Sequence, residues 1–300
     1  MCKIIYYHGL YSSFPELSFS DPAFTRQDFA RQVELLSRRY ELITLNEALE
    51  RSNEKNGLKQ TLCVTTDDGL ADNLVFAEIL DRCNGKLTLF LNNNFIDNQD
   101  MMWRNKIRYV EHHTDSYRQN RLIGQLAETY QLWVPKSSLS LLNWSRTWPM
   151  ALKDHLADRL WEEAGLGTVR EFLERRKLYL NWTEIKELTR QGHAIGGHTR
   201  SHPDCSLLSW EELKAETVDA VGELRQRSGE PVHFLAYPFG IRPRSAWDRR
   251  LRAENSGLKR TMGIAPSLQS PTLEEREDME KSFWKSMVYL YLMPVKRALF

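Results

Sequence analysis

Two imidazoles four residues apart, His198 and His202, stand in the run Gly196-Gly197-His198-Thr199-Arg200-Ser201-His202-Pro203. A single turn of chain at that spacing aims both rings at one point. Elsewhere an apolar run beginning at Thr61 ends in the paired carboxylates Asp67 and Asp68, followed by Gly69. Two neutral imidazoles and one carboxylate make a three-ligand site that leaves room for water and substrate, the pattern of a catalytic rather than a structural metal. We read Asp68, His198 and His202 as ligands of one divalent ion, with Asp67 beside them as a base. Such an ion lowers the pKa of water and polarises a carbonyl, and the free carboxylate takes the proton, which is the chemistry of amide hydrolysis. Zinc suits these donors, as do cobalt, nickel and iron(II). Taken singly, Asp-Asp-Gly is a common turn and a histidine pair is commonplace; the weight lies on their joint occurrence at strand ends.

The elements that must position these groups alternate. Strands are expected at 3–7, near 43–45, at 62–65, 87–91, 194–197, 234–237 and 259–264, from short apolar runs stopped by Gly, Asn, Asp or Pro. Helices are expected between them, over about 25–39 (Thr25 and Asp28 as a capping box), from Asn46, over 71–83, 181–191 (Asn181 and Glu184), 209–228 (Ser209 and Glu212) and 245–254. Strand–helix–strand order argues for parallel strands with helical crossovers. In that architecture functional groups collect at the C-terminal ends of strands, where Asp67, Asp68, His198 and Phe239 all fall. Residues 98–178 read as a helical insertion rich in Trp, Arg and Glu, without a flexible linker on either side, so we expect one domain over 1–300. A C-terminal helix is expected over about 274–300, amphipathic and packed on the main domain, with a membrane surface as its alternative partner. His112-His113 diverges too widely on a helix to chelate and is read as surface.

The bulk composition excludes several classes. A chain of 300 residues with 41% hydrophobic and 27% charged residues is ordinary globular protein, and a net charge of +1 offers no general attraction to nucleic acid. The four cysteines, Cys2, Cys63, Cys83 and Cys205, form no Cys-x-x-Cys pair, which argues against a zinc ribbon or a disulfide framework. The N-terminal run reads as a strand rather than a signal peptide, and no run approaches a membrane span. A cytoplasmic location is expected.

At these residues the sequence resembles the polysaccharide deacetylase family (NodB homology domain, carbohydrate esterase family 4). Thr65-Thr66-Asp67-Asp68-Gly69 is similar to its T-F-D-D-G motif, His198-Thr199-Arg200-Ser201-His202-Pro203 matches its H-[ST]-x-x-H-P motif, and Ala236-Tyr237-Pro238-Phe239-Gly240 resembles its R-x-P-Y-G motif. Tyr6-Tyr7-His8-Gly9 looks like the family's Y-H-G start. The resemblance implies an α/β fold, an incomplete (β/α)7 barrel, with Asp67 as base and Asp68, His198 and His202 as metal ligands. It further implies that the Phe239 backbone N–H stabilises the oxyanion and that Tyr237 and Pro238 lie on the substrate side. Two departures stand out. Ala236 replaces the arginine that orients the base in many members, so another group must set the pKa of Asp67. No late Leu-x-His motif supplies a general acid; His8 is the candidate substitute, with a structural role as its alternative.

The expected function is a metal-dependent hydrolase that removes an N-acetyl group from an amino-sugar glycan or sugar-linked precursor. A deformylase or other non-peptide amide hydrolase of the same fold is the second reading. A metal-binding but inactive glycan-recognition or scaffold protein is the third.

Overall fold

Short runs, several of them rich in β-branched and aromatic residues, make the strands, and all their pairings are parallel. The computed structural model describes residues 2–10, 14–18, 24–136, 140–255, 257–264 and 275–280. Among these, the strands are β1 (Lys3–Tyr7), β2 (Glu41–Leu42), β3 (Thr61–Thr66), β4 (Leu87–Leu91), β5 (Ala194–Gly197), β6 (Phe234–Ala236), β7 (Arg260–Ile264) and β8 (Glu275–Asp278). β1 pairs with β3 on one side and β8 on the other, and β3 to β8 complete the ring in sequence order. Seven strands therefore close the barrel, as expected, while β2 is a two-residue stub against the start of β3.

Side chains alternate across each strand and so divide into two layers. Ile4, Cys63, Phe90, Phe234, Ala236 and Met262 pack together in the lumen. Ile5, Val64, Leu89, Ile195 and Leu235 face the surrounding helices. The bare α-carbon of Gly196 leaves space for the Phe90 ring: a β-carbon there would lie 2.5 Å from it.

The segment expected as an insertion is helical, with helices Trp103–His112, Ser116–Tyr130, Leu141–Trp144, Lys153–Glu163 and Val169–Arg175. Its Trp103, Trp144, Trp148 and Trp161 are buried in one cluster with Tyr179, Phe14, Leu17 and Leu70 from the flanking chain. The Ala71 and Leu180 amides donate to the Leu178 and Gly69 carbonyls, at 2.9 and 3.0 Å, and tie its exit to the loop after Asp68. His112 and His113 are exposed, as expected.

Three expectations need correction. The short strand near residue 43 is displaced to Glu41–Leu42, because Thr44, not Asn46, caps the next helix by accepting from the Glu47 amide at 3.1 Å. The helix over 210–228 contains a π turn at Ala215–Asp219. The C-terminal helix does not begin at 274: Glu275–Asp278 is a strand between β1 and β7, and residues 281–300 lie outside the described ones. Glu-Arg-Glu-Asp carries no apolar alternation, so its pairing is invisible to a hydrophobic pattern.

Candidate active site

The ends of β3 and β5 deliver the acidic pair and the histidines. The Asp67 amide donates to the Tyr7 carbonyl at 2.9 Å, extending the β1–β3 ladder by one step, and the chain then turns sharply with Asp68 at φ +67°. The His198 amide donates to the Leu91 carbonyl at 2.8 Å, which prolongs the β4–β5 ladder in the same way. Beyond it the loop is not a helical turn. Thr199 (φ +67°) and His202 (φ +59°) both adopt left-handed backbone, as does Phe239 (φ +59°) after β6. Such residues cost about 1–3 kcal/mol each and persist where the surroundings over-determine them.

Those surroundings are identifiable. The Glu216 carboxylate accepts from the Arg200 and Ser201 amides at 2.9 and 2.8 Å and from the Ser201 hydroxyl at 2.6 Å. Glu216 sits in the π turn, whose extra residue per turn re-aims its side chain toward the loop. The Asn92 side-chain amide donates to the His198 carbonyl and, at 3.2 Å, to that of Thr199. From the insertion, the Trp103 indole donates to the His202 carbonyl at 2.9 Å and Lys153 to the Ser201 hydroxyl at 2.9 Å.

Held this way, the ligand atoms of Asp68, His198 and His202 lie within 4.8 Å of one another. Asp68 Oδ1 is 3.5 Å from His198 Nε2 and 3.4 Å from His202 Nε2. His198 donates from Nδ1 to the Ala236 carbonyl at 2.8 Å, which fixes the tautomer and leaves the Nε2 lone pair for a cation. Asp68 Oδ1 is buried without a hydrogen-bond partner. An orphaned carboxylate oxygen facing two imidazoles is a donor set that fits a divalent ion. Burial pushes the Asp68 carboxyl above its usual range despite His8 and His198, and it pulls His202 well below its own, reinforced by His198 and other nearby cations. A cation among these three would reverse the penalty on the carboxylate and favour the neutral imidazoles.

Asp67 has a different setting. Arg276 on β8 donates to both its oxygens, Nη1 to Oδ1 at 2.5 Å and Nη2 to Oδ2 at 2.9 Å. The guanidinium is wholly buried, with Tyr6 and Phe90 rings on it at 4.9 Å each. Burial alone would raise the Asp67 carboxyl, but the Arg276 charge and hydrogen bonds, with His198, carry it below the usual range. Its Oδ2 stays 3.8 Å from His198 Nε2, so Asp67 borders the Asp68–His198–His202 cluster without belonging to it.

The family model for polysaccharide deacetylases matches residues 54–259. The chain belongs to the polysaccharide deacetylase family. Membership places it among hydrolases of carbon–nitrogen bonds other than peptide bonds that act on glycans, a family that is metal-dependent in general. No curated protein matches the chain by sequence. The fold is similar to that of the deacetylase PplD of Streptococcus pyogenes, solved with acetate (TM-score 0.57, 15% identity, covering 93% of this chain and 92% of that one). It is similar also to IcaB from Ammonifex degensii (0.58, 15%, 95% and 94%) and to a de-N-acetylase from Aggregatibacter actinomycetemcomitans (0.55, 11%, 94% and 95%). At these identities the likeness concerns the fold alone.

In this deacetylase the arginine missing at Ala236 has a counterpart in Arg276, which comes from β8 instead of β6. His8, at the end of β1, meets Glu280: its Nδ1 donates to Oε2 at 3.1 Å, and the His8 and Gly9 amides both donate to Oε1. Burial pulls His8 down, but the Glu280 charge and hydrogen bond, then Asp68 and Asp67, push it up to about 10. Phe239 packs edge-on against His202, with ring centroids 4.7 Å apart. Tyr237 is a correction. Expected on the substrate side, it is buried in the layer between strands and helices, and its hydroxyl donates to Asp248 at 2.7 Å. Period-two alternation explains this, since Ala236 packs into the lumen and its neighbour must face outward. Pro238 opens the turn that sets Phe239. The sequence reading missed Arg276, Glu280, Glu216 and Trp103. None lies in a motif. Only the demand that Ala236 left, for a buried cation beside Asp67, pointed toward one of them. No helix among the described residues is long and apolar enough to cross a membrane.

Proposed function

We propose that the protein removes an N-acetyl group from an amino-sugar glycan or a sugar-linked precursor. The observation that carries this reading is the buried, unpartnered Asp68 oxygen between His198 and His202, with Asp67 held beside it by Arg276. A divalent ion on Asp68, His198 and His202, zinc first among those that suit the donors, supplies Lewis acidity toward the acetamido carbonyl and toward water. Asp67 is the base and takes a proton from the attacking water. Arg276 keeps Asp67 ionised and fixes the plane of its carboxylate. The Phe239 N–H donates to the oxyanion that develops on the acetamido oxygen. His8, kept protonated by Glu280, gives its proton to the departing nitrogen, so that acetate and a free amine result. The compartment we take to be the cytoplasm, a reading supported by the free thiols of Cys2, Cys63, Cys83 and Cys205.

The test is release of acetate and amine from N-acetylglucosamine oligomers by the full-length protein. Asp67→Asn should lower the rate by about a hundredfold or more. Equal release by that variant would overturn the mechanism.

A further inference from the structure

Arg104 is the second residue of the helix Trp103–His112 and is buried to within 8% of its surface. Its guanidinium lies over the Phe239 ring at 5.0 Å and the Trp103 ring at 5.6 Å. Its Nε has no hydrogen-bond partner, and among the described residues no carboxylate lies within ion-pair distance of it. Every other deeply buried cation near the site is matched. Arg276 holds Asp67, Lys106 holds Asp100 and Asp158 at 2.8 and 2.6 Å, and Lys153 holds Asp154 and Ser201. A buried charge without a partner costs several kcal/mol, and such a group calls for an explanation. Burial, then Arg108 and Arg146, push Arg104 down to about 10, and the more distant Glu111 carboxylate offsets them only in part.

The position of this cation is informative. Phe239 stands between Arg104 and the His202 ring, and the Arg104 charge bears on His202. The exposed side chain of Arg146 adds a second positive charge close by. We propose that the substrate carries an oxyanion, a phosphate or carboxylate on or next to the amino sugar, and that Arg104 receives it while the acetamido group lies at the metal triad. A planar guanidinium fork matches both oxyanions, and a ligand that neutralises Arg104 removes the penalty of its burial. The alternative, that Arg104 only packs on aromatic rings, leaves unexplained why Glu111 acts on it from beyond ion-pair distance and no carboxylate pairs with it directly. This inference rests on the deacetylase reading and narrows its substrate class.

The experiment compares amine release from methyl N-acetylglucosaminide, N-acetylglucosamine 1-phosphate and N-acetylmuramic acid. Wild type should prefer at least one charged sugar by about tenfold in kcat/KM, the worth of one charge-assisted hydrogen bond or more. In Arg104→Gln that preference should shrink about tenfold, chiefly through KM, with Arg104→Lys between the two. The preferred sugar tells phosphate from carboxylate. No preference in wild type, or an equal fall for charged and neutral sugars in Arg104→Gln, would overturn the proposal. Inorganic phosphate titrated into the metal-loaded full-length protein gives a second readout, since phosphate taken by the ion is common to wild type and variant. Weaker binding by Arg104→Gln supports the site; equal binding sinks it. That measurement stands even if none of the sugars is turned over, an outcome that would defeat the deacetylase reading instead. Should Arg104→Gln fail to fold, Arg146→Gln at its exposed position should narrow the same preference by about twofold, as a rim charge does. An unchanged preference in that variant would then count against the proposal.

Discussion

Arg276 grips Asp67 with two nearly parallel hydrogen bonds, at 2.5 and 2.9 Å, across the β1 strand that separates β8 from β3. The grip sets both the charge and the orientation of the proposed base. Arg276→Lys should therefore lower kcat by about a hundredfold, since a point charge cannot hold the carboxylate plane. The acidic limb of the pH profile should also move. Arg276 holds Asp67 below its ordinary range, which keeps the base ionised far into acid. Weakening the grip raises that pKa, so activity should fade at a higher pH in the variant. A profile of kcat/KM against pH checks the direction.

Metal removal should abolish activity and lower the melting temperature. At an ion concentration a hundred times Kd, rebinding should restore about 2.7 kcal/mol of stability. Asp68→Asn should bind less than one ion per chain by elemental analysis, because the oxygen it weakens is the one left without a protein partner. Full metal occupancy in that variant would contradict the assigned ligands.

The His8–Glu280 pair should make stability depend on pH in alkaline solution. His8 titrates near 10 in the folded chain, above the value near 6.5 expected when it is unfolded. Its contribution is thus complete below about 6.5, declines as the pH rises toward 10 and is absent beyond. Glu280→Gln should flatten that decline. Denaturant midpoints at pH 6, 8 and 10 for wild type and variant would reveal it.

Gly196→Ala should destabilise the barrel by about 1–3 kcal/mol, since the added methyl meets the Phe90 ring and overpacks the lumen. Combining it with Phe90→Leu should recover part of the loss, a coupling that thermal melts of the single and double variants would measure.

How far the sequence could be read differs by element. The strands that carry Asp67, Asp68 and His198 were legible because apolar runs stop at polar residues, and the capping boxes at Thr25, Asn181 and Ser209 marked real helix starts. The spacing of the two histidines was legible too. Its geometry was not, because left-handed backbone at Thr199 and His202, neither a glycine, leaves no compositional trace. β8 was hidden for another reason. A strand of Glu-Arg-Glu-Asp pairs through its backbone and buries Arg276 against a counter-charge 209 positions away in the chain. Local patterns do not encode such a partner. Tyr237 shows the complementary error, where a motif position suggested substrate contact but the strand's alternation turned the ring outward.

The hydrogen bond from the Trp103 indole to the His202 carbonyl has a consequence for how this protein tolerates change. One of the two histidines proposed as ligands takes its seat partly from an element that contributes no strand to the barrel. Repacking around Trp144, Trp148 or Trp161, none of them among the proposed ligands, should reach the His202 loop through that indole and through the Lys153–Ser201 hydrogen bond. Trp103→Phe should thus weaken metal affinity while leaving the strands intact, and deletion of 98–178 should yield a barrel that folds yet coordinates poorly. On the proposed ligand set, the helices between β4 and β5 would belong to the chelating apparatus.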